Sequence, residues 1–164
     1  MTINEEDLEF DFSDAADAIK FDDCNHALSH CMKAVDFIIE LPTAYLFVEV
    51  KDPSQPRAPA KAADNFKAKV TNGELQKDIV KKFRDSFVYR WAENKLDKPV
   101  HFLSVVTLEE ALLHNFQDEL KRNLPFVGPT RWTRQLAASC HVLNIEAWNR
   151  NFPKWPVRRL SEVV

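Results

Sequence analysis

The sequence predicts an α/β fold, in which a mixed central sheet is flanked by helices in a three-layer sandwich. Three features indicate it: two apolar runs joined by a proline turn within residues 33–52, a helical pattern over 74–94, and a β-rich run at 100–106. Strands and helices that alternate in this order along one chain are typical of an α/β arrangement.

The 33–52 stretch indicates a β-hairpin. Residues 35–39 and 45–50 are rich in β-branched and aromatic side chains and are separated by a Leu-Pro-Thr-Ala turn, the pattern of two antiparallel strands. Both faces of the second strand are largely apolar, so we expect it to be central in the sheet. If Glu40 pairs with Tyr45, strand alternation places two carboxylates opposite each other on one face.

Those carboxylates belong to Asp36 and Glu49, and in this register their Cβ atoms would lie about 5 Å apart. Opposed buried carboxylates require compensation by a proton, by a cation or by the ammonium of Lys51. A divalent ion such as Mg²⁺ satisfies both at once and leaves positions open for water and phosphate, which suits phosphodiester hydrolysis. The alternative is an exposed edge hairpin whose charges are solvated or form weak surface ion pairs.

Asp36 followed by Glu49-Val50-Lys51 resembles the motif of the PD-(D/E)XK nuclease superfamily, although Val35 stands where proline is usual. The resemblance implies a restriction-endonuclease-like fold with Mg²⁺ or Mn²⁺ bound by Asp36, Glu49 and the Val50 carbonyl. It also implies that Lys51 positions the attacking water, and that the chain is an endo- or exonuclease. We expect a nucleic-acid partner, DNA rather than RNA, and leave a homodimer open.

The other elements follow from local patterns. The resemblance covers about residues 13–107 of a single domain, 1–164, with a C-terminal helix, strand and tail at 108–164 packed on this core. We predict a short helix from Ser13 to Ile19, a loop from Asp52 to Ala63, a helix from about Gly73 to Asn94, a strand at 100–106, a helix at 108–124 and a strand at 140–145.

Composition limits the function classes. The chain has 164 residues, 45% of them hydrophobic and 29% charged, with a net charge of −3, which argues against a protein that coats DNA nonspecifically. Its two glycines, Gly73 and Gly128, exclude a glycine-rich nucleotide loop. Three irregularly spaced cysteines and the lack of an apolar run of about 18 residues predict a cytoplasmic protein without a membrane span.

Three further groups of residues were considered as sites. A zinc clip from one short segment is disfavoured, because structural zinc normally uses two separated ligand pairs. Acids near the predicted first helix offer a further metal ligand but are also typical capping residues, and two arginines around a tryptophan suit either base stacking or simple packing. The segment considered for zinc contains Cys24, His26, His30 and Cys31. The acids near the predicted helix are Glu9, Asp14 and Asp17, and the arginines and tryptophan are Arg131, Trp132 and Arg134.

Two function classes therefore remain open. The first is a metal-dependent nuclease acting on phosphodiester bonds. The second is a catalytically inactive interaction or regulatory protein that keeps the nuclease fold, which the acidic net charge and small size favour. A hairpin with a purely structural role, in a protein whose function lies elsewhere, is a third alternative.

Overall fold

The computed structural model describes residues 1–56, 58–59, 61–126 and 128–162. The elements in this part of the chain form one α/β arrangement with two sheets. The strands are β1 (Thr2–Glu5), β2 (Leu8–Asp11), β3 (Asp17–Lys20), β4 (Phe37–Glu40), β5 (Tyr45–Lys51), β6 (Val100–Val106), β7 (Ser139–Leu143) and β8 (Val157–Arg159). The α-helices are α1 (Ala62–Thr71), α2 (Glu74–Ala92), α3 (Glu110–Asn123) and α4 (Ile145–Asn151).

The larger sheet is mixed and has the strand order β3-β4-β5-β6-β7. The hairpin strands β4 and β5 are antiparallel and Glu40 pairs with Tyr45, which confirms the predicted register. Strand β5 lies in the middle of the sheet, because β6 pairs with it in parallel on its other side. The prediction that the 100–106 strand lies beside the hairpin is therefore also confirmed.

The two faces of this sheet are covered differently. One face packs against α2 and α3, whose apolar stripes include Ile79, Phe83 and Phe116. The other face packs against the small antiparallel sheet β1-β2-β8 and against Trp148 of α4. The expectation of a sheet flanked by helices thus holds fully on the first face, whereas a second sheet shares the other face with one short helix.

The predicted helix from Ser13 to Ile19 is wrong, because residues 13–16 form no helix and the chain continues into the edge strand β3, which pairs with β4. Ala18 packs into one core and Ile19 against the other, as strand alternation requires. Ser13, which resembled a helix cap, instead donates from its backbone N–H to Asp11 in a turn. Tertiary pairing with β4 has overridden a local helix signal.

The remaining predicted helices and strands are present, and the residues at which they begin and end differ from the predicted ones. Helices α2 and α3 and strand β7 occupy the predicted regions. The predicted loop ends where an unanticipated helix, α1, begins, and Arg57 and Ala60 within it lie outside the described residues. None of the helices in the described part of the chain combines the length and apolar character that a bilayer crossing needs.

Candidate active site

The hairpin and helix α2 together hold the predicted site. Asp36 lies immediately before β4, Glu49, Val50 and Lys51 end β5, and Lys82 projects from α2. The segment that leads into Asp36 is tied to the same helix, because the Val35 N–H donates to the Ser86 hydroxyl at 2.9 Å. The sheet face that carries both acids is thereby held against α2.

Asp36 is fixed by the backbone of the middle strand. The strand ladder ends at the pair formed by Phe37 and Val48. Two residues beyond Val48, the Val50 N–H donates to Asp36 Oδ2 at 2.6 Å. The carboxylate is only 2% exposed. It therefore completes the hydrogen bonding of β5 with one oxygen and presents the other, Oδ1, to its surroundings.

Glu49 is the most enclosed charge of the site, with an exposure of 0%. Its Oε1 accepts from Lys51 Nζ at 2.6 Å and from Lys82 Nζ at 2.7 Å. Its Oε2 is buried and has no hydrogen-bond partner among the described residues. Burial, together with the charge of Asp36, raises the pKa of Glu49 to about 7, although both lysines act in the opposite direction.

Lys82 joins the two acids directly. Its Nζ lies 3.2 Å from Asp36 Oδ1 and 2.7 Å from Glu49 Oε1, so the structure brings the predicted acid pair together around one ammonium. Burial alone would lower the pKa of Lys82, but the charges of Glu49 and Asp36 outweigh it and raise the pKa above its ordinary value. The ammonium is therefore charged at neutral pH.

Lys82 was not predicted as a site residue, although its position in the helical pattern carried a signal. Lys82 follows Ile79 by three residues and precedes Ser86 by four, and both of these face the interior. A lysine next to the buried stripe of a helix is rarely left without a partner. The nearest predicted charges were the two acids of the hairpin, which is where its ammonium lies.

Lys51 occupies the outer side of the site. Its Nζ donates to Glu49 Oε1 and, at 2.8 Å, to the Val50 carbonyl. The side chain is 24% exposed, so the ammonium borders solvent while the acids beneath it do not. Asp36 and Glu49 therefore lie on the buried side of the site, and Lys51 lies on its solvent side.

Further acids approach from the N-terminal region, but they are not the ones considered from the sequence. Carboxylate oxygens of Glu5 and Asp22 lie within 4.8 Å of Asp36 and of each other. Burial, with the charges of Asp36 and Glu5, raises the pKa of Asp22 to about 6. Strands β1 and β3 bring them there, and the sequence analysis had placed a helix in the region of β3.

The acids considered earlier lie outside this group. Glu9 instead pairs with Arg158 of β8 across the small sheet. Glu6 accepts the Asp52 N–H at 2.6 Å, and burial raises its pKa although that hydrogen bond opposes the shift. It therefore braces the chain directly after Lys51.

Ser104 is a second buried residue of the site that the sequence did not reveal. It pairs with Glu49 across the parallel strands β5 and β6, which places both side chains on the same sheet face. Ser104 is fully buried and its hydroxyl has no partner within the described part of the chain. Two unpartnered polar groups thus lie side by side beneath the lysines.

Of the other groups considered from the sequence, the side chain of Cys24 lies outside the described residues. The buried His26 ring stacks on Tyr89 at a centroid distance of 4.4 Å, and no metal-binding cluster found among the described residues includes His26, His30 or Cys31. Arg134 lies over the Phe87 ring at 5.7 Å. Arg134 therefore packs against an aromatic residue of the core.

The donors of the site fit a hard divalent cation. Carboxylate and carbonyl oxygens are the ligands that Mg²⁺ and Mn²⁺ take, and the buried Glu49 Oε2 lacks a partner. The chain was compared with protein-family models, with curated proteins and with solved structures, and none of them matched it.

Proposed function

We propose that this chain is a metal-dependent nuclease with a restriction-endonuclease-like fold, which hydrolyses phosphodiester bonds in DNA rather than RNA. The observation that carries the proposal is the hairpin, in which Val50 N–H binds Asp36 at 2.6 Å and holds its carboxylate beside Glu49. Lys51 follows on the same strand at the solvent side. This arrangement of two buried acids and a lysine at the solvent side supports the proposal.

Asp36, Glu49 and the Val50 carbonyl would hold Mg²⁺ or Mn²⁺. A bound metal supplies Lewis-acid stabilisation of phosphoryl oxygens and a lower pKa for water. The protein supplies the rest: Lys51 presents an ammonium at the mouth, where it can orient a water molecule and stabilise developing negative charge. The burial of Glu49 and Ser104 excludes bulk water from the inner side of the site.

The proposal is tested by cleavage of single- and double-stranded DNA and RNA with Mg²⁺ or Mn²⁺. We expect Lys51→Ala to lower the rate by about 100-fold or more, because it removes a donor aimed at developing charge. Lys154→Ala is the control, since Lys154 is an exposed lysine on the C-terminal loop, and it should keep the wild-type rate. Equal rates for wild type and Lys51→Ala would remove Lys51 from the mechanism.

A second function has a specific observation in its favour. The ammonium groups of Lys51 and Lys82 both bind Glu49, so the acid pair is compensated by the protein itself. A catalytically inactive regulatory protein with this fold would use the lysines in the same way. The absence of cleavage on all four substrates with either metal would favour this alternative over the nuclease.

A further inference from the structure

The Lys82 ammonium lies between the two acids and contacts one carboxylate oxygen of each, Asp36 Oδ1 and Glu49 Oε1. We propose that Lys82 is the resident cation of the acid pair, and that a divalent metal ion binds Asp36 and Glu49 together only by displacing it. The inference rests on the proposed function, because the metal site is the one proposed above. It assigns Lys82 an autoinhibitory contact that the motif does not contain.

The hydrogen bonds of Asp36 indicate which of its two carboxylate oxygens is available to a metal ion. Asp36 Oδ2 is held by the Val50 N–H at 2.6 Å, so Oδ1 is the oxygen free to face Glu49. Lys82 Nζ holds that oxygen at 3.2 Å and Glu49 Oε1 at 2.7 Å. A Mg²⁺ ion binds oxygen at about 2.0–2.1 Å, so an ion held by these two oxygens would take the position between them that the ammonium occupies.

Electrostatic repulsion and the length of the Lys82 side chain allow a divalent ion to replace the ammonium. An ammonium and a divalent ion a few ångströms apart in a partly buried site repel each other strongly. The Lys82 side chain is 21% exposed, and a four-carbon stem lets its ammonium turn to solvent while α2 stays in place. Lys51 differs from Lys82 in that it contacts Glu49 and the Val50 carbonyl but does not bridge to Asp36.

The test is a calorimetric Mn²⁺ titration of the full chain and of two variants with the same change of charge. Lys82→Met keeps an apolar stem and removes the ammonium, and we expect it to bind Mn²⁺ about tenfold more tightly, because the ion no longer has to displace a cation. Lys81→Met changes the exposed neighbouring lysine and should bind within about twofold of wild type. Asp36→Asn should abolish shared binding.

Thermal unfolding gives a second readout. In EDTA, Lys82→Met should melt at a lower temperature than wild type, because the acid pair loses a counterion, and Mn²⁺ should raise its melting temperature more than that of wild type. Lys82→Arg retains the positive charge, so it should bind Mn²⁺ as weakly as wild type. This variant provides the test if Lys82→Met does not fold without metal: tighter binding by Lys82→Arg would overturn the inference.

The outcomes separate the inference from the nuclease proposal. Equal or weaker Mn²⁺ affinity in Lys82→Met would overturn the displacement of Lys82 while leaving the metal site in place. Tighter binding in Lys82→Met, with wild type inactive on every nucleic acid, would support the displacement and count against the nuclease. A lack of Mn²⁺ binding in wild type and all variants would overturn the inference together with the proposed metal site.

Discussion

The charged form of Glu49 is disfavoured, because its carboxyl group is fully buried beside a second acid. Its pKa of about 7 lies above the ordinary carboxyl value of 4.5. The native state therefore holds this proton more tightly than the unfolded chain does. The resulting stabilisation is complete below the ordinary carboxyl pKa and is lost as the pH rises through 7.

Glu49→Gln should remove this pH dependence. In EDTA, the Glu49 contribution to the wild-type free energy of unfolding should fall by up to about 3 kcal/mol between pH 4.5 and pH 8. The variant should lack that part of the decline. Urea unfolding across this range measures it, with Glu110→Gln as the control because Glu110 is exposed at the start of α3. Parallel pH profiles for wild type and Glu49→Gln would contradict the pKa shift.

At the level of single residues, the motif allowed Asp36, Glu49 and Lys51 to be named from the sequence, since its three members lie on one hairpin of predictable register. Lys82 is more than thirty positions away along the chain, and its role depends on how α2 lies across the sheet. Glu5 and Asp22 depend in turn on the pairing of β1 and β3, where local propensity gave the wrong structure.

At the scale of elements, the C-terminal strand β8 braces the end of β5. Arg159 of β8 donates to both oxygens of Asp52, at 2.9 and 3.0 Å, and to the Ser54 hydroxyl at 2.7 Å. Asp52 is only 3% exposed and directly follows Lys51. A bidentate pair of this kind fixes the chain at the point where the site opens to solvent.

Two neighbouring arginines on β8 provide a matched test of this brace. Arg159→Met should lower the free energy of unfolding by about 3 kcal/mol, because it leaves the buried Asp52 carboxylate without its cation. Arg158→Met should cost less than about 1 kcal/mol, since Arg158 is 65% exposed and pairs with Glu9 at the surface. Urea unfolding of both variants measures the difference, and equal losses would show that Asp52 does not depend on Arg159.

At the scale of the whole molecule, the α/β class, the hairpin, the long helix and the strand beside it could be predicted because each has a strong local pattern. The small sheet could not be predicted. Its strands β1 and β2 lie at the start of the chain and β8 near the other end, so their pairing is decided by long-range packing. Short strands of three or four residues also carry too little periodicity to be recognised.

Residues 108–164 contribute to the sheets and to the cores themselves and do not merely pack on a core formed by the preceding residues. Strand β7 covers the free edge of β6, and α3 contributes Leu113, Phe116 and Leu120 to the core on one sheet face. Trp148 fills the core on the other face. Both cores and both sheets therefore draw on this region.

A chain that ends at residue 107 should consequently lack a cooperative fold. It would expose the edge of β6 and the parts of both sheet faces that α3 and Trp148 cover, and it would leave the buried Asp52 without Arg159. We expect a broad urea transition and binding of a hydrophobic dye, as in a compact state without fixed packing. The full chain with Arg159→Met is the control, because it loses only the brace and should still unfold in one sharp step. A shortened chain with a sharp transition and native near-ultraviolet circular dichroism would instead mean that residues 1–107 fold independently.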